Sequence, residues 1–112
     1  MEQKTYCATV IYPYHETVSF DVEAYKSDLA PAYARLLGPN CVQYEVRKGW
    51  IAPGASHPPF TCIASFWVLS PEEFSKAMAA PEMGALMARI TAFTTITPIR
   101  QFDEVVGSAS LA

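Results

Sequence analysis

Thr61-Cys62-Ile63-Ala64-Ser65-Phe66-Trp67-Val68-Leu69-Ser70-Pro71-Glu72-Glu73 joins a strand signal directly to a helix signal. In its first part, Ile63, Ser65 and Trp67 alternate with Cys62, Ala64, Phe66 and Val68, so neither parity is charged. Such a run suits a strand covered on both faces, and Thr61 to Leu69 is expected to lie centrally in a sheet. In its second part, Ser70 can cap, Pro71 suits the first helical position and Glu73 completes a capping box. A helix is therefore predicted from Pro71.

Working backward from Thr61, the stretch from Gly49 to Pro59 contains Gly49, Pro53, Gly54, Pro58 and Pro59, which makes it a long irregular connection of the kind that often borders a site. Before it, Cys41 to Lys48 alternates Val42, Tyr44 and Val46 with Gln43, Glu45 and Arg47, the period of a strand. From Asp21 to about Leu37, Val22, Tyr25, Leu29, Ala32, Tyr33 and Leu36 recur at helical spacing, and Gly38-Pro39 ends the helix. Pro31 cannot donate to Ser27, so a kink is expected between them. Thr5 to Tyr12, stopped by Pro13, is a first strand.

Working forward from Pro71, Phe74, Ala77 and Met78 supply an apolar face before Pro81. Met83, Leu86, Met87 and Ile90 then continue a second helical stretch, so two short helices with a break at Ala80-Pro81 are predicted. Thr97 to Val106 is a fourth strand, with Pro98 at its start, where a missing donor is tolerated. The order is βαββαβ, with helices on one face of a four-stranded antiparallel sheet, an α+β fold of the ferredoxin-like kind. The other face, also apolar in part, calls for a second sheet as cover. Residues 1–107 form one domain and 108–112 a loose tail.

The chain of 112 residues is 51% hydrophobic and 17% charged, with a mean hydropathy of +0.12. That surplus of apolar surface is consistent with a subunit interface or a cavity. Its net charge of −3, without a basic run, argues against nucleic acid as a partner. Neither a leader of the secretory kind nor a run of roughly 20 apolar residues is present, so a soluble cytoplasmic protein without membrane contact is expected. Cys7, Cys41 and Cys62 are too scattered for a disulfide framework or a zinc site, and read as small buried hydrophobes.

Taken together, these residues resemble the EthD family of dimeric α+β barrel proteins over nearly the whole chain. The matching features are Tyr12-Pro13, Phe20-Asp21 with Tyr25 and Pro31, and Leu37-Gly38-Pro39. Phe66, Ser70-Pro71-Glu72-Glu73-Phe74, Phe93-Thr94, Pro98 and Glu104-Val105-Val106 follow in order. The resemblance implies a homodimer with a pocket between helices and sheet, taking a small hydrophobic or aromatic molecule without a cofactor. It also implies oxidoreductase or rearrangement chemistry, since the family is linked to ether breakdown by a monooxygenase system and related barrels include cofactor-free monooxygenases, cyclases, isomerases and decarboxylases. The family's first helix usually carries a pocket-facing His two positions before the proline. Here that position is Leu29, and Arg89 stands where an acidic residue is frequent.

His15 and His57, the chain's two histidines, are the first choices for acid or base work, with His57 on a loop able to serve as a lid. Asp28, beside Leu29, can act as a base if turned inward. Tyr12, Tyr25, Leu29, Tyr33, Trp50, Trp67 and Arg89 are the expected substrate-binding residues, the aromatics by stacking on a planar ligand. Arg89 and Arg100 are expected either to pair with Glu45 or Glu104 or to receive a substrate carboxylate. No G-x-G-x-x-G, P-loop, H-x-x-x-H, E-x-x-H or G-x-S-x-G pattern occurs, so neither a dinucleotide nor a metal is expected. An enzyme acting on a small hydrophobic metabolite is one reading. A non-catalytic dimeric binding or accessory protein of a degradation or oxygenase pathway is the other, and Leu29 favours it.

Overall fold

The computed structural model describes residues 4–111. Strand β1 (Tyr6–Pro13) is followed by helix α1 (residues 22–37), strand β2 (Cys41–Lys48) and strand β3 (Phe60–Val68). Helices α2 (Pro71–Ala79) and α3 (Pro81–Phe93) and strand β4 (Ile99–Glu104) complete the order. The sheet runs β2-β3-β1-β4, antiparallel throughout, the ferredoxin-like arrangement expected from the sequence. Strand β3 is central, as its apolar pattern requires.

Even-numbered residues of the two central strands point toward the helices. Ala8, Val10 and Tyr12 of β1 and Cys62, Ala64, Phe66 and Val68 of β3 are buried there. They meet Tyr25, Leu29, Ala30, Tyr33 and Leu37 of α1 and Met83, Leu86 and Ile90 of α3. Of the cysteines, Cys7 and Cys62 are buried and Cys41 is half-buried, all three with free thiols. On the open face, Ile63 and Trp67 are half-buried, and Ile99 on edge strand β4 is 52% exposed.

The kink expected in α1 is a π-helical turn. After Asp21 caps the first turn through Ala24 N (3.0 Å), Val22–Ala24 is α-helical, Tyr25–Leu29 is π-helical and Ala30–Leu37 returns to α. The wide turn, closed by Ala30 N on Tyr25 O, accommodates a proline that cannot donate and whose ring crowds the turn before it. It also changes the phase of the helix, so that Leu29 and Ala30 both face the core while Asp28 is exposed. Gly38 ends the helix at φ +67° and ψ −150°, a conformation open only to glycine.

Ser70 caps α2 by accepting from Glu73 N at 3.2 Å, as expected. The reciprocal half of the capping box is replaced. Glu73 pairs with Lys76, and Ser70 N donates instead to Asn40 Oδ1 at 2.8 Å. Asn40 also accepts from Leu69 N at 3.1 Å and donates through Nδ2 to Ser70 O at 3.0 Å, tying the end of α1 to the start of α2.

The connection between β2 and β3 is irregular, as expected, but both of its ends are fixed. Gly49 N donates to Thr61 O at 2.9 Å, and a Cβ at Gly49 would lie 2.2 Å from Phe60 O, so only glycine fits. Within the loop, the His57 ring stacks on Tyr14 at 4.1 Å.

Candidate functional site

Helices α1 and α2 stand away from edge strand β4 and leave a hollow of about 240 Å³. Ala8, Thr9 and Val10 of β1 and Arg100, Gln101 and Phe102 of β4 form its floor, while Tyr33 of α1 and Phe74 and Met78 of α2 form its wall. The register explains the space. Ala8 sits between Phe66 and Phe102 across the sheet, and its methyl group leaves a gap between two large rings. Phe74 stacks on Phe102 (centroids 4.9 Å, planes 27° apart), and Tyr33 packs on Phe66 at 4.4 Å, so the aromatic walls are held from behind.

Thr9 and Gln101 have the parity of the open face, which leaves two polar side chains, Tyr33 and Arg100, on the helix side, and each rests on a sulfur. The Tyr33 hydroxyl donates to Met78 Sδ at 3.3 Å, and the Arg100 guanidinium donates to Met87 Sδ, also at 3.3 Å. Burial pushes the Tyr33 phenol up to about 12, with Arg100 acting in the opposite direction. Arg100 is exposed at the mouth and also borders a second hollow, of about 410 Å³, with Met87, Thr91, Thr95 and Thr97. No Asp, Glu or His lines either hollow among the described residues.

Of the residues singled out from the sequence, Tyr33 and Arg100 border the first hollow. Tyr12, Tyr25 and Leu29 are buried in the adjoining layer, where Tyr12 packs on Phe20 at 4.7 Å and on Tyr25 at 5.4 Å. The Tyr12 hydroxyl is buried without a hydrogen bond of ordinary geometry. Burial raises both phenols above 10; for Tyr12, Tyr25 and Arg100 oppose the rise, while for Tyr25 the neighbouring Tyr12 adds to it.

The other named residues lie elsewhere. His15 is exposed after β1, and His57 is exposed on the loop with Nδ1 near Pro58 O. Trp50 is 84% exposed on the same loop, and Trp67 points to the open sheet face opposite the helices. Asp28 is turned outward and accepts from Arg89. The expected pairing of Arg89 or Arg100 with Glu45 or Glu104 is corrected. Glu45 pairs with Arg47 and Glu104 with Lys4, each carboxylate taken by the cation that strand geometry brings nearest. Residues the sequence reading did not place in the site are Ala8, Phe74, Met78 and Phe102. For Ala8 and Phe102 the signal is parity, since they share a face once β1 and β4 are in register, and for Phe74 and Met78 it is helical spacing four apart.

No family model matches the chain, and no curated protein does. Among solved structures, an EthD-like protein from Ralstonia eutropha is 32% identical, with a TM-score of 0.85 over 97% of this chain and 98% of that one. The chain belongs to the EthD family. An ethyl tert-butyl ether D family protein from Bacillus halodurans is 17% identical, with a TM-score of 0.72 over 91% of this chain and 99% of its own. A variant of SnoaB, a cofactor-independent oxygenase from Streptomyces nogalater, shares the fold at 12% identity and a TM-score of 0.63, covering 96% of this chain and 97% of that one. This EthD member contains no helix long and apolar enough to cross a membrane, among the described residues.

Proposed function

We propose that this EthD protein is a cytoplasmic homodimer that takes a small, one-ring molecule into the hollow between α2 and β4 and transforms it without a cofactor, by oxidation or proton-transfer rearrangement. The observation that carries this reading is the hollow itself. Its volume of about 240 Å³ exceeds the roughly 150 Å³ of a dry cavity that holds benzene, and its walls are aromatic rings and one thioether. Tyr33 supplies the hydrogen bond that orients the ligand. Dimerisation through the open sheet face is supported by the apolar residues there, Ile63, Trp67 and Ile99. Free, scattered cysteines suit a reducing compartment.

One observation favours a ligand-holding protein without catalysis. Among the described residues the hollow has no His or carboxylate, and its phenol is pushed up to about 12, away from the range of a working base. The two readings separate under air. Conversion of a bound one-ring ligand, followed by mass spectrometry and lost in Tyr33→Phe, supports the enzyme, and unchanged ligand supports the carrier. Ala8→Phe tests both, because a ring at that position fills the hollow. Binding should be lost with the fold intact, and undiminished binding would remove the hollow as the site.

A further inference from the structure

We infer that the ligand of this hollow carries a carboxylate, received by Arg100 at the mouth while the ring of the ligand lies against Phe74 and Phe102. The inference rests on the reading of the hollow as the ligand site and adds the chemical class of what enters it.

Five of the eight Lys and Arg residues pair with a carboxylate: Lys4, Lys26, Arg47, Lys76 and Arg89. Arg35, Lys48 and Arg100 have no such partner among the described residues, and of these only Arg100 borders the main hollow. Its fork of five N–H donors matches a carboxylate in plane and spacing. What it meets instead is a thioether, a weak acceptor.

Tyr33 repeats the arrangement, its hydroxyl resting on Met78 Sδ. Both polar donors of the hollow are thus held in place by sulfur and give up little when an oxygen replaces it. The surroundings do not oppose an anion either. No acidic residue lines the main hollow or the one beside it among the described residues, although the chain as a whole carries a net charge of −3. A flexible Met side chain can withdraw as the ligand enters, which an aliphatic wall of fixed shape would not allow.

The test compares benzoate with its neutral counterpart benzamide, by calorimetry at neutral pH and by the methyl resonances of Met78 and Met87. Benzoate is expected to bind about tenfold more tightly and to move both methyl resonances. Arg100→Gln, an exposed substitution, should abolish the preference while benzamide binding persists. Equal binding of the two probes, with the Met78 methyl moving, overturns the inference and leaves the hollow as a ligand site. Failure of both probes to bind at millimolar concentration overturns the site and the inference together.

Discussion

The Arg89 guanidinium of α3 donates to the Asp28 carboxylate on the π-helical turn of α1, joining two helices through side chains that are 52% and 59% exposed. Leu29 beside Asp28 is apolar and buried, and the acid itself is already engaged on the outer surface. Asp28→Asn should cost no more than about 1 kcal/mol in urea denaturation, because water screens an exposed pair. It should leave ligand affinity unchanged. A large loss of affinity would return Asp28 to the site.

Asn40 is expected to matter more, though it too lies outside the lining of the hollow. Its side chain accepts from Leu69 N and Ser70 N and donates to Ser70 O; Leu69 N keeps a bond to Asn40 O and Ser70 O keeps one from Phe74 N, so Asn40→Ala orphans Ser70 N where β3 turns into α2. The expected loss is about 2 kcal/mol, against about 1 kcal/mol for removing the Ser70 cap. Faster amide exchange at Leu69 and Ser70 would locate the effect.

Alkaline pH should unfold the protein in a defined window. Burial raises Tyr33 from 10.0 to about 12 and Cys62 from 9.0 to about 11. In both, the folded chain holds its proton after the unfolded chain has lost it, so unfolding releases protons and stability falls as pH rises. The contribution is complete below pH 9 and disappears between pH 9 and 11 for Cys62 and between pH 10 and 12 for Tyr33. Urea midpoints across this range should decline, and Cys62→Ala should flatten the decline between pH 9 and 11. An unaltered slope in that variant would show that the thiol is not protected.

The buried Tyr12 hydroxyl has no good partner, which makes Tyr12→Phe an informative substitution. Loss of a lone buried hydroxyl should leave stability unchanged or raise it by about 1 kcal/mol, since the aromatic cluster with Phe20 and Tyr25 keeps its shape. A clear drop in the thermal midpoint would mean that the hydroxyl is satisfied in solution.

Local chemistry made most of the fold readable. Ser70, Pro71 and Gly38 announce helix ends whatever surrounds them, and the alternation in β2 fixes its period. The π-turn was visible only as a conflict, because Pro31 says that something must give near Ser27 without saying how. The hollow is legible in two residues, Tyr33 and Arg100. Ala8, Met78 and Phe102 belong to three elements, and what makes them neighbours is cross-sheet register and the angle of α2, which no single segment encodes. Arg100 stands on an edge strand, where the sequence leaves open whether its partner is a surface acid or a ligand.

Gly49 has a meaning beyond its own backbone. With its hydrogen bond to Thr61 and the bond from Tyr14 N to Pro59 O, it closes the neck of the β2–β3 loop against the sheet. A loop cinched at its neck is insulated, so changes of length or composition around Trp50 and His57 reach the hollow only through that neck. Evolution, or an engineer, can therefore rewrite this segment freely, while the sheet and the hollow behind it keep their shape.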